Sequence, residues 1–87
     1  KTFHVIFVLP EQILVGIFRS LVSAQYSMSR LTNEGYYTTI YEDEGLYQVR
    51  VGEYETIEEA LIAQRELRDR GYETLIVRTE DSDNSIR

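Results

Sequence analysis

Val15-Gly16-Ile17-Phe18 returns as Val51-Gly52-Glu53-Tyr54, and this recurrence decides the fold. The same offset of 36 residues puts Ala24 on Ala60, Leu31 on Leu67 and Gly35-Tyr36 on Gly71-Tyr72. Thr38 falls on Thr74 and Ile40 on Ile76, with no gap anywhere between Val15 and Ile76. Some pairs disagree: Gln25 falls on Leu61 and Met28 on Gln64. Self-similarity at a fixed spacing means that one supersecondary unit occurs twice.

Each copy reads as strand, helix, strand. In the second, Tyr47, Val49 and Val51 alternate with Gln48 and Arg50, the period of a half-buried strand. Thr56 and Glu59 have capping-box spacing, and Ile57, Ala60, Leu61, Gln64 and Leu67 share one helical face. Acids at 58 and 59 and arginines at 68 and 70 suit the two ends of the helix dipole. Gly71 supplies the left-handed residue that ends such a helix, and Tyr72–Val77 follows as a strand. The first copy is rougher, with Ser20 as cap, Leu21, Ala24, Met28 and Leu31 as buried stripe, Gly35 as stop and Tyr36–Tyr41 as strand. Glu42-Asp43-Glu44-Gly45 joins the copies as a hairpin turn. The expected architecture is α+β, a ferredoxin-like βαββαβ domain with two helices on one face of a four-stranded antiparallel sheet. A rival parse runs one long helix from Pro10-Glu11-Gln12 to Asn33, behind a strand at Phe3–Val8. The repeat argues against it, because Val15–Phe18 matches a segment that alternates clearly in the second copy.

Composition narrows the function. Eighty-seven residues hold one small domain, and 43% apolar content is enough for a core. The net charge of −6, from 15 acids against 9 bases, argues against a nucleic-acid partner, whose phosphates demand the opposite sign. Apolar runs are far short of the ~20 residues that cross a bilayer. No direct membrane insertion by this segment is expected, and the chain reads as a piece of something longer. There is no cysteine and one histidine, His4, so no metal site or cofactor is expected. Asp81 and Asp83 lie in a tail that lacks the central Gly and final Glu of a calcium loop. The serines of the first helix have no following histidine as base, and the acids at 42–44 read as a solvated turn. The expectation is a binding module and not an enzyme.

Val-Gly-x-aromatic opening each copy, Ala eight residues after that Gly, and Gly-Tyr closing each helix resemble the SPOR (sporulation-related repeat) family. So does Gly45-Leu46-Tyr47-Gln48-Val49-Arg50-Val51-Gly52, which is similar to the family's central strand. The likeness spans roughly Gln12 to Thr79. It implies the same fold, and a non-catalytic module of the bacterial cell envelope (periplasm or cell wall), used in division or wall remodelling. Its implied ligand is peptidoglycan, with glycan strands stripped of stem peptides preferred and held on the sheet face away from the helices. If Val49 and Val51 point at the helices, then Leu46, Gln48 and Arg50 point the other way. The repeat adds Leu14 to that open face, and Tyr36, Thr38, Ile40, Thr74 and Ile76 are also expected there. Glycan-binding candidates are thus Gln48, Arg50, Tyr36, Leu14, Leu46 and Ile76. Leu14, Ile17, Leu46 and Gln48 stand where members often carry Gln, Ser, an aromatic and Arg. The hydrogen bonding and stacking accordingly fall to Gln48, Arg50 and Tyr36.

The expected division is an added strand or cover over 1–11, the repeat domain over 12–79, and a polar tail over 80–87. Phe3-His4-Val5-Ile6-Phe7-Val8 has no counterpart between the copies. It either covers the aliphatic residues of the open face or pairs with another chain. The alternative function is therefore a protein-interaction or dimerisation domain, a homodimer being one form, with the ligand face covered.

Overall fold

The computed structural model describes residues 10–78. The elements are β1 (Glu11–Phe18), α1 (Leu21–Asn33), β2 (Thr38–Asp43), β3 (Leu46–Tyr54), α2 (Ile57–Asp69) and β4 (Leu75–Arg78). The four strands form one sheet in the order β2-β3-β1-β4, every neighbouring pair antiparallel. This is the expected two-copy topology. The long helix from Pro10 is excluded, because Glu11–Phe18 is β1 and a helix begins only at Leu21. Phe3–Val8 with His4, and the tail with Asp81 and Asp83, lie outside the described residues.

Ile13 of β1 and Val49 and Val51 of β3 bury one side of the sheet against Ala24 and Leu31 of α1 and Ala63 and Leu67 of α2. Small residues at 24, 60 and 63 let the helices lie close to the strands. The Ser20 hydroxyl accepts from the Ser23 N–H, and the Thr56 hydroxyl accepts from the Glu59 N–H, so both caps fall where the repeat puts them.

Both helices end in one motif. The Gly35 and Gly71 N–H groups donate to the carbonyls of Thr32 and Arg68. The next N–H groups, of Tyr36 and Tyr72, donate to Leu31 and Leu67. This Schellman pair needs a left-handed residue at the glycine, and φ is +98° and +101° there. It also brings the following residue back onto the helix, so both tyrosines pack against the core. The recurrent Gly-Tyr is the sequence of this device.

The recurrent Val-Gly-x-aromatic has a different cause. The aromatic ring two residues on lies over each glycine. A Cβ on Gly16 would sit 2.7 Å from the Phe18 ring, and one on Gly52 would collide with the Tyr54 ring. Gly52 also has φ +81° beside a β-bulge, where the pairing shifts between Ile13↔Val51 and Glu11↔Tyr54. A second irregularity between Leu14 and Gly16 turns Val15 toward the core.

The two halves are clasped across the helix ends. The Tyr36 hydroxyl donates to Glu66, and Arg70 lies over the Tyr36 ring. Reciprocally, the Tyr72 hydroxyl donates to Glu34, and Arg30 lies over the Tyr72 ring. Arg70 and Glu34 meet at 3.7 Å between the two sets.

Candidate functional site on the open sheet face

Glu44 and Gly45 both have positive φ and form a two-residue hairpin turn that sets Asp43 opposite Leu46. The register then runs without a break: Tyr41 opposes Gln48, Ile40 opposes Val49, and Thr39 opposes Arg50. Opposed residues share a face, so the open face carries Thr39, Tyr41 and Asp43 of β2 beside Leu46, Gln48 and Arg50 of β3. From β1 come Leu14, opposite Arg50, and Ile17, opposite Gln48. From β4 come Leu75, opposite Leu14, and Val77, opposite Gln12.

Four of the six candidates, Gln48, Arg50, Leu14 and Leu46, are brought together here. Tyr36 and Ile76 are not. Tyr36 follows a Schellman glycine and is drawn onto the core, where its hydroxyl reaches Glu66 of α2. Ile76 opposes the fully buried Ile13 and packs beneath the helices. Thr38 and Ile40 likewise oppose Val51 and Val49 on the helix face. In β2 and β4 the alternation is as expected, but its phase is reversed. Thr39, Tyr41, Leu75 and Val77 take the face expected for Thr38, Ile40, Thr74 and Ile76.

Arg50 organises the face. Its Nε and Nη2 donate to Gln48 Oε1 at 3.1 and 2.7 Å, and its Nη1 donates to Gln12 Oε1 at 3.2 Å. The guanidinium carbon lies 4.3 Å from the centroid of the Tyr41 ring. Gln12 is itself anchored, donating from Nε2 to the carbonyl of Gly52 at the bulge. Arg50 and Gln12 are only 6% and 2% exposed, so this is a built cluster and not a pair of solvated side chains. The Thr39 hydroxyl, on the residue opposite Arg50, is buried with no partner among the described residues. Ile17 and Leu75 flank the cluster and are 53% and 60% exposed. Polar donors beside bare apolar surface suit a ligand with hydroxyls and ring faces.

Gln12 was missed at the sequence level, since it reaches Arg50 only through a β1–β3 register shifted by two irregularities. Tyr41 could have been found from the hairpin. Another depression, about 660 Å³, runs beside α1 between Phe18, Val22, Tyr26 and Tyr72. The sheet face, where Arg50 gathers Gln12, Gln48 and Tyr41 into one side-chain cluster, is the stronger candidate. Among the described residues no group of three metal-ligating side chains occurs, and no helix is long and apolar enough to cross a membrane.

The family model for the SPOR domain matches residues 13–78. A similar solved structure is the solution structure of the peptidoglycan binding domain of the B. subtilis cell wall lytic enzyme CwlC. It is 16% identical, with a TM-score of 0.76 over 88% of this chain and 98% of that one, a likeness of fold. Comparison with curated proteins finds no match.

Proposed function

The chain belongs to the SPOR domain family, and from that premise we propose that it is a non-catalytic module that binds peptidoglycan through the open face of its sheet. The single observation that carries this reading is the buried Arg50–Gln12–Gln48–Tyr41 cluster on that face. Its ligand is the glycan strand. Gln48 and Arg50 hydrogen bond to the sugars, Tyr41 takes the stacking role expected of Tyr36, and Leu14, Leu46 and Leu75 line the apolar floor. Aliphatic residues at 14 and 46 cannot accept or donate, which concentrates polar recognition on β3 and its two neighbours. Such a module acts in the bacterial cell envelope by bringing a larger protein to the wall.

The test is cosedimentation of the domain with purified sacculi, before and after an amidase strips the stem peptides. Binding that rises on stripping and falls in Gln48→Ala is the expected result. Pelleting with neither preparation refutes the reading. A homodimer formed through the same face is the competing use, favoured by the exposure of Ile17 and Leu75. It requires a mass that doubles with concentration in sedimentation equilibrium.

A further inference from the structure

β2 is an edge strand, and its outer side is bare among the described residues. The Tyr37 carbonyl accepts from the Gly52 N–H at 2.7 Å, so Tyr37 turns its backbone groups toward β3. Successive residues of a strand alternate, and Thr39, Tyr41 and Asp43 turn inward with it. The N–H and C=O groups of Thr38, Ile40 and Glu42 therefore point outward, where no further strand of the sheet follows. Edges of this kind are ordinarily blunted by Pro, Lys, a bulge or a covering element. β2 has no such device: it reads Thr-Thr-Ile-Tyr-Glu-Asp, and its register with β3 is unbroken over 6 residues. The opposite edge, β4, is only 4 residues long. Ile40 packs against the core yet stays only half-buried at the bare edge, and Tyr37 is 62% exposed.

We propose that β2 pairs antiparallel with β2 of a second copy of this chain, about a twofold axis at Ile40, and joins the two sheets into one. Backbone direction allows only registers in which 38, 40 and 42 meet one another. The centred register sets Thr38 against Glu42 of the second copy, Ile40 against its duplicate, and Glu42 against Thr38, with about six backbone hydrogen bonds. Between these, Tyr37 meets Asp43 and Thr39 meets Tyr41. Every pair is complementary: carboxylates face the hydroxyls of Thr38 and Tyr37, an aromatic ring faces a β-branched residue, and Ile40 covers Ile40 on the helix side. No acid meets an acid, although each copy carries a net charge of −6. Sliding the pairing by two residues one way puts Ile40 against Glu42. Sliding it the other way leaves Glu42 beyond the end of β2, so the sequence selects the centred register. The axis stands perpendicular to the sheet. Both open faces then lie on the same side and stay uncovered, unlike those of a dimer formed through that face.

Sedimentation equilibrium of the full chain should show a mass that doubles as concentration rises. Glu42→Pro removes an outward N–H and no bond within the sheet, and should move that transition to about tenfold higher concentration. The register is read by cross-linking, since the chain has no cysteine of its own. Thr39→Cys and Tyr41→Cys, made as single variants, mixed and oxidised, should give a mixed disulfide. Opposed residues of a non-hydrogen-bonded pair bring their Cα atoms to about 4.5 Å, within disulfide range. Each variant oxidised alone should cross-link far less, because its duplicate lies on the diagonal. The wild-type mass needs no variant, so a substitution that fails to fold leaves the test standing. A chain that stays monomeric up to about 1 mM overturns the proposal. So does a dimer that is as tight in Glu42→Pro and yields no mixed disulfide, which puts the contact on another surface. Self-linking of Thr39→Cys as efficient as the mixed product overturns the register.

Discussion

Replacing Gly52 by alanine should be among the most damaging single-methyl changes in this domain. Two costs coincide there. The backbone is at φ +81°, where an L-residue costs about 1–2 kcal/mol. The new Cβ would also land in the Tyr54 ring, which belongs to the core periphery, and forcing such a ring aside costs about 1–3 kcal/mol. Together they come to about 2–5 kcal/mol, against a total stability of about 4–13 kcal/mol for a chain of this length. Gly71→Ala provides the control. Its φ is +101°, but nothing stands within 4 Å of the added Cβ, so it should cost the backbone term alone. Urea denaturation followed by far-ultraviolet circular dichroism gives both values, provided that the slope with denaturant is unchanged. A Tyr54→Ala background then removes the obstruction, and Gly52→Ala should fall to the Gly71→Ala value. If the two glycines cost the same in the natural background, or if removing the Tyr54 ring brings no relief, the account of the Val-Gly-x-aromatic motif is wrong.

Leu31→Ala and Leu67→Ala, both fully buried, should each cost about 2–5 kcal/mol by thermal or chemical denaturation. Tyr72→Phe removes the hydroxyl bond to Glu34 and should cost about 0.5–1.5 kcal/mol; a neutral result would show the bond to be idle. Arg70→Glu sets like charges at the helix clasp, and should lower stability by up to about 1 kcal/mol at low salt and less at high salt. Burial, then the charges of Tyr36 and Glu66, raises the Tyr54 pKa above 10, while burial and then Glu34 raise that of Tyr72. A raised folded-state value means the native state holds these protons more tightly. Their stabilisation is therefore complete below the unfolded pKa near 10 and is lost as pH rises through the folded values. Absorbance titration at the phenolate band should show Tyr54 and Tyr72 ionising above pH 10, with the melting temperature falling over the same range.

Architecture was legible because the repeat, the caps and the stop glycines all point to one answer. Which face each residue takes was legible only in part. Val49 and Val51 orient β3 from alternation alone, and Leu46, Gln48 and Arg50 follow. β2 needed the hairpin: a two-residue turn at Glu44-Gly45 puts 40 opposite 49, and that arithmetic would have sent Ile40 to the core and Tyr41 to the open face. Tyr36 needed the Schellman rule, by which the residue after the stop glycine packs back on its helix. The Gln12–Arg50 contact could not be read at all. It depends on a bulge at Gly52 and an irregularity at Val15, and each slips the register by one residue.

The clasp at the helix ends has a consequence for the history of the chain. Positions 34 and 70 are the same position in the two copies, as are 30 and 66, and they carry opposite charges: Glu34 against Arg70, Arg30 against Glu66. A contact that lies on the axis relating two identical units, as that between positions 34 and 70 does, sets a residue against its own duplicate. An unlinked half dimerised in this way would set glutamate on glutamate. Joined in one polypeptide, the halves are free to differ, and the axis carries an attraction that no symmetric ancestor could have had.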